Sequence, residues 1–178
     1  SDIGWVILPN LVTIGQDLYV ADVSGDSGGY YDGSAAIDVG LSCPSLVNVS
    51  GSVTFESVNY FAVDLPSLRN LGGSLSFPNI YMYDTLLSLP ALTIVGGNLY
   101  FRSSYLDELD LPLLRDVGGN LDFYSARFIE VDLPSLRSVD GYAMFRYFYA
   151  DTVSMPALTT IGSYILLYSC RPRYSSDG

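Results

Sequence analysis

The sequence contains no lysine and no histidine. Without them there is no amine for a Schiff base, no imidazole general base and no imidazole metal ligand. Neither a GxSxG nucleophile turn nor a glycine-rich phosphate loop is present. No run of 18 apolar residues occurs, so nothing in the chain reads as a membrane-spanning helix. No secretory leader is visible in Ser1 to Asn10, and the chain reads as a mature or trimmed segment. Positive charge is scarce: 8 Arg stand against 16 Asp and 3 Glu, for a net charge of -11. That balance argues against nucleic acid and anionic lipid as partners, because both require a basic face to neutralise phosphate.

What the chain does carry is period. Seven of the nine prolines, Pro9, Pro44, Pro66, Pro90, Pro112, Pro134 and Pro156, are separated by 35, 22, 24, 22, 22 and 22 residues. A fixed interval of this size marks stacked repeats. Two residues after each proline stands a leucine (Leu11, Leu46, Leu68, Leu92, Leu114, Leu136, Leu158). Five after it comes Ile14, Val49, Leu71, Val95, Val117, Val139 or Ile161. A glycine turn follows, doubled at Gly72-Gly73, Gly96-Gly97 and Gly118-Gly119, where positive φ without a Cβ clash is the expected need. Apolar residues then alternate, as in Leu75/Phe77, Leu99/Phe101 and Leu121/Phe123. A second alternating pair precedes the proline, as in Leu109/Leu111 and Val131/Leu133. Alternation of this kind is a short strand with one face inward. No stretch holds a helical period. The expected fold is all-β: a parallel β-helix or solenoid of about seven coils of 22 residues, with two short strands per coil and a Phe ladder inside. One domain spans residues 1-170, and 171-178 form a polar tail.

The pattern LxLPxLxxVGGxLxF, present as LDLPLLRDVGGNLDF (Leu109 to Phe123) and VDLPSLRSVDGYAMF (Val131 to Phe145), resembles the receptor L-domain type of leucine-rich repeat. The likeness runs from about Val6 to Cys170. It implies a β-helical extracellular or cell-surface recognition module with no catalytic residues to carry over. Leucine-rich repeats often place an Asn three residues after the second apolar strand position. Here that column holds Val58, Ile80, Ser104, Ala126 and Phe148, which favours a straighter β-helix over a curved horseshoe.

Two cysteines are present, Cys43 in the second coil and Cys170 in the seventh. At about 4.8 Å per coil they are on the order of 24 Å apart, beyond the reach of a disulfide. Cys43 takes a core leucine position, and Cys170 is the candidate for an intermolecular bond.

The candidate binding positions are those the frame leaves free. The 15 Tyr are a heavy load, and Tyr with Arg is what binding surfaces enrich. Outward positions of the post-glycine strand include Tyr100, Arg102, Asp122, Tyr124 and Arg146. Two insertions, 13 residues at about 23-35 and two around Tyr81 to Asp84, fall in the same part of the repeat. They should emerge along one edge with Tyr30, Tyr31, Tyr81 and Tyr83, beside Tyr105, Arg127, Phe128 and Tyr147. A protein or glycan ligand is the expected partner; a structural module of a surface layer or envelope is the alternative.

Asp110 and Asp132 sit at equivalent positions of adjacent coils, with Glu108 and Glu130 two residues before them, and roughly 5 Å between carboxylates is a retaining glycosidase spacing. The same spacing follows from any repeated Asp, and Arg69, Arg115 and Arg137 are placed to neutralise the stack. A glycan-cleaving enzyme therefore ranks last, and the chain reads as a non-enzyme. No cofactor is expected. Asp22, Asp26 and Asp32 in the first loop are a weak calcium set whose spacing does not match an EF-hand. An ice-binding solenoid would need an outward Thr column, and there is none.

Overall fold

The computed structural model describes residues 4–23 and 39–172, without the side chains of 83–85. Among the described residues every element is a β-strand and every pairing is parallel. The chain winds as a β-solenoid of about six turns at the 22-residue spacing, and two of its sheets run through seven strands.

Each coil carries three strands rather than the expected two. The post-glycine strands (Leu18–Ala21, Val53–Glu56, Leu75–Ser76, Leu99–Tyr100, Leu121–Asp122, Ala143–Arg146, Ile165–Tyr168) form one seven-stranded sheet. The pre-proline strands form two shorter sheets, Trp5–Ile7 with Val39–Ser42 and Phe61–Asp64, then Tyr81–Ser88 with Tyr105–Asp110, Glu130–Asp132 and Thr152–Ser154. The additional sheet is built from two-residue strands just before the glycines: Thr13–Ile14, Asn48–Val49, Asn70–Leu71, Ile94–Val95, Asp116–Val117, Ser138–Val139 and Thr160–Ile161. Two residues are too few for alternation to show in sequence.

The LPxL signature is a reverse turn. In every coil the leucine amide donates to the carbonyl of the residue before proline, as in Leu114 N to Leu111 O at 3.2 Å and Leu46 N to Cys43 O at 3.0 Å. Proline thus occupies the second position of a four-residue turn, where its fixed φ fits and its missing N–H is not needed. The two-residue insertion appears as a register shift in the pairing of Tyr81–Ser88 with Tyr105–Asp110, between Met82 and Leu86.

The glycines serve a purpose other than the one expected. Among the described residues none of the turn glycines has positive φ; that conformation belongs to a column of other residues just after the Phe strand: Asp22, Ser57, Asn79, Ser103, Ser125, Tyr147 and Ser169, with Tyr60 outside the column. The glycines instead permit close stacking of coil on coil. A Cβ on Gly97 would lie 2.9 Å from Gly73 C, and one on Gly119 would lie 2.9 Å from Gly97 O.

The polar residues of this bend form a ladder. Asp17 Oδ1 accepts from Ser52 N at 2.6 Å, Ser52 Oγ from Ser74 N at 3.0 Å and Ser74 Oγ from Asn98 N at 2.9 Å. Asn98 Oδ1 then accepts from Asn120 N at 2.8 Å, and Asn120 Oδ1 from Tyr142 N at 3.0 Å. Each side chain satisfies an amide that the turn leaves without a backbone acceptor. The Asn ladder missing from the column of Val58, Ile80, Ser104, Ala126 and Phe148 thus has a counterpart beside the glycines.

Inside, Phe55, Phe77, Phe101, Phe123 and Phe145 stack at 5.2, 5.2, 5.4 and 5.4 Å with nearly parallel rings. Cys43 is fully buried, burial pushes its thiol pKa up, and neither cysteine is bonded. Cys170 is exposed, with Sγ 2.9 Å from Phe145 O.

Candidate functional site

The residue with positive φ after each Phe strand resets the inward and outward phase of the chain. Phe101 points in and Arg102 out; Ser103 turns the corner, Ser104 is buried, and Tyr105 faces out again. Repetition of that corner generates two outward columns. One runs Arg102, Tyr124, Arg146, Tyr168 along the post-glycine sheet. The other runs Tyr81, Tyr105, Arg127, Tyr149, Arg171, its last four members joined by single parallel bridges. Tyr and Arg alternate throughout the first column and from Tyr105 onward in the second.

The rings and guanidinium groups are in contact distance. In the first column the Arg102 guanidinium lies 5.0 Å from the Tyr100 ring centroid and 5.5 Å from that of Tyr124. Arg146 lies 5.8 Å from Tyr124, 5.0 Å from Tyr147 and 5.3 Å from Tyr168. In the second, Tyr81 and Tyr105 stack at 5.0 Å. Arg127 lies 5.7 Å from Tyr105 and 5.3 Å from Tyr149, and its Nε is buried without a hydrogen-bond partner. A guanidinium over a tyrosine face is held by the ring quadrupole, which fixes a long side chain at modest entropic cost. The result is a pre-ordered surface of aromatic and cationic groups.

Comparison with known proteins finds no matching family model, no matching curated protein and no matching solved structure. The columns therefore carry the functional reading on their own geometry.

Most of the sequence-predicted positions gather here. Tyr81, Tyr105 and Arg127 share the second column, and Tyr100, Arg102, Tyr124, Arg146 and Tyr147 lie along the first. Tyr83 is within Tyr81–Ser88; Tyr30, Tyr31, Asp26 and Asp32 fall outside the described residues. Asp22 has φ 54° and its amide donates to Glu56 O at 3.1 Å. Among the described residues no three acidic or cysteine side chains cluster as a metal site.

Two positions correct the sequence reading. Asp122, expected to face solvent, is 1% exposed. Its Oδ2 accepts from Arg102 Nη2 at 2.8 Å, Arg102 Nε at 3.1 Å and Tyr142 Oη at 3.2 Å, while Oδ1 accepts from Tyr124 N at 3.0 Å. It is an anchor beneath the surface rather than part of it. Burial, then the Asp122 charge, raises the pKa of Tyr142; burial leads at Tyr100 as well. Both phenols therefore remain neutral at physiological pH. Phe128, expected on the loop edge, is fully buried, edge-on to Phe101 at 5.7 Å and Phe123 at 5.5 Å, where the adjoining inward column narrows to Ser104 and Ala126.

Tyr149, Tyr168 and Tyr142 were missed as site residues, although Tyr149 and Tyr168 lie 22 residues beyond Arg127 and Arg146 and are legible from the period alone. The acidic stack also differs from expectation. Asp110 and Asp132 are register partners, as are Glu108 and Glu130, yet among the described residues Arg69, Arg115 and Arg137 form no ion pair with it. Serines bond it instead, Ser88 Oγ to Asp110 at 2.8 Å and Ser42 Oγ to Asp64 at 2.5 Å.

The Arg102–Asp122 pair joins a buried group to one whose side chain is 42% exposed, and the two substitutions should differ accordingly. Arg102→Ala leaves a buried carboxylate with no neutralising charge and only Tyr124 N and Tyr142 Oη as donors, and is expected to cost about 2–3 kcal/mol; Asp122→Ala removes the acceptor of those two donors but lets the arginine rehydrate, and should cost about 1–2 kcal/mol. Urea unfolding of the two variants measures the difference; a larger loss for Asp122→Ala would mean that the hydrogen bonds to Tyr124 N and Tyr142 Oη outweigh the charge left unneutralised in Arg102→Ala.

Proposed function

We propose that the protein is a recognition module, extracellular or cell-surface, that binds a protein or glycan ligand across the two Tyr–Arg columns. The observation that carries this reading is the alternation itself: Arg102, Tyr124, Arg146, Tyr168 beside Tyr105, Arg127, Tyr149, ordered by mutual contact before any ligand arrives, with Arg171 bridged to Tyr149 through the backbone. Such groups supply large contact area with little ordering left to do on binding. The resemblance to receptor L-domain repeats points the same way. No reaction is assigned to the Asp110/Asp132 stack.

The test is a screen of a glycan array and a displayed protein library with the wild-type chain and a Tyr124→Ala/Tyr149→Ala double variant. Both tyrosines are only half-buried, so the urea midpoint should barely move while affinity falls at least tenfold. A ligand bound equally by the double variant would remove these columns from the site.

A second reading, a module that assembles with its own kind, is favoured by the last described coil. Val153, Ile165 and Leu167 are exposed there around an apolar hollow of about 580 Å³ that reaches Phe145. Concentration-dependent mass in solution, abolished by Leu167→Asp, would support it.

A further inference from the structure

The two arginines of the first column both lie over tyrosine rings, but only one of them meets a carboxylate. Arg102 meets Asp122 of the next coil, whose carboxylate accepts from both Nε and Nη2. Arg146 stands two coils on, and the residue in the place of Asp122 is Leu166: Asp122 pairs with Met144, and Met144 pairs with Leu166. Among the described residues no carboxylate faces Arg146; its electrostatic neighbours are Tyr147, Tyr124 and Tyr168, and the hydrogen bond that its guanidinium donates to Tyr147 Oη is long at 3.5 Å. The molecule thus contains two arginine–tyrosine cages that share Tyr124, one filled by a carboxylate and one open.

A second observation singles out the open cage. The corner residues with positive φ are Asp, Asn or Ser in six coils, but Tyr147 at the Arg146 corner has φ 54°. A bulky residue there costs on the order of 1 kcal/mol or more, and such strain gathers at ligand clamps. In return the Tyr147 ring stands 5.0 Å from the guanidinium and edge-on to Tyr124 and Tyr168, at 5.9 and 5.6 Å.

We propose that the Arg146 cage, walled by Tyr124, Tyr147 and Tyr168, receives a carboxylate side chain from a protein partner, docked as Asp122 docks on Arg102. The inference rests on the recognition reading above and specifies the group bound. A protein is favoured over a polyanionic glycan because the net charge of -11 repels a polymer of like charge, whereas a protein surface can present one acid among basic residues. A fixed guanidinium is geometrically suited to accept a carboxylate through two parallel N–H donors.

Two measurements test it. In the first, acetate is titrated while the arginine Nε resonances are followed by NMR. Arg146 should shift saturably and Arg102 should stay silent. In Leu166→Asp, which places a carboxylate where coil five has Asp122, the Arg146 response should disappear. No saturable shift, or an equal response to chloride, overturns the site.

In the second, random dodecapeptides are selected on the wild-type chain. Binders should carry an Asp or Glu whose replacement by its amide weakens binding at least tenfold on wild type and less than twofold on Arg146→Gln. Binders indifferent to Leu166→Asp and Arg146→Gln would sink the carboxylate site and leave the recognition reading standing. Binding of glucuronate-bearing glycans with no peptide binders would overturn the protein assignment. Failure of peptides, proteins and glycans alike on wild type would sink the recognition reading as well.

Discussion

Phe101→Ala is expected to lower the unfolding free energy by about 4 kcal/mol, within the range for a large aromatic removed from a packed core. Phe101 is fully buried, with Phe77 stacked on one side at 5.2 Å and Phe123 on the other at 5.4 Å. Phe128 closes a third side edge-on at 5.7 Å. The coil spacing is set by backbone hydrogen bonds in three sheets, so the coils above and below cannot close onto the space left behind. The cavity persists, and its cost adds to the lost transfer energy. Phe145 supplies an internal control. It stacks on Phe123 from one side only, and on the other it borders the apolar hollow at the last described coil. Phe145→Ala should therefore cost about half as much, because part of its surround is already empty. Guanidinium unfolding of the two variants decides the matter: equal losses would mean that the ladder does not act as a continuous stack.

The fold was legible because the repeat states each constraint seven times. Proline, leucine and phenylalanine columns remain visible when a single coil would be ambiguous, and they correctly give an all-β stack with parallel pairing and an internal Phe ladder. Period does not report what covers a residue. Asp122 alternates outward like Tyr100, yet Arg102, Tyr124 and Tyr142 close over it from its own and adjoining coils, a fact that depends on three side-chain conformations. Phe128 was misplaced because a single residue with positive φ, Ser125 in that coil, shifts the phase of everything after it. Serine gives little sign in sequence that it will adopt that conformation. The column in which Ser52 and Ser74 give way to Asn98 and Asn120 was readable, since each residue type brings one short acceptor to the same place, but its partners are backbone amides that a sequence does not display. Three residues of each Tyr–Arg column were read as candidate surface; Tyr168 and Tyr149 follow once the 22-residue step is applied to Arg146 and Arg127, and Arg171 after one step more.

Gly119→Ala should cost about 3 kcal/mol, a large effect for one added methyl group. An alanine at this φ is not itself strained, so the penalty must come from contact between coils. The new Cβ would lie 2.9 Å from both the carbonyl carbon and the oxygen of Gly97, backbone atoms that cannot rotate away. It would also press on Asn98 Oδ1, which accepts the Asn120 amide at 2.8 Å. Overpacking a rigid site costs about 1–3 kcal/mol, and a buried amide deprived of its acceptor adds about 1 kcal/mol. The column argues the same point: Gly51, Gly73, Gly97, Gly119 and Gly141 fill it in the five inner coils, while Gln16 and Ser163 stand at its two ends. The neighbouring column is less strict, admitting Ser50 and Asp140 among its glycines, so doubling of the glycine is not what the stack requires. Gly15 in that looser column is the matched control. A Cβ there meets nothing within 4 Å, and Gly15→Ala should be neutral or slightly stabilising by restricting the unfolded chain. Urea midpoints separate the two outcomes. A Gly119→Ala midpoint as high as that of Gly15→Ala would show that the coils can move apart locally, and close backbone stacking would then no longer explain the glycines.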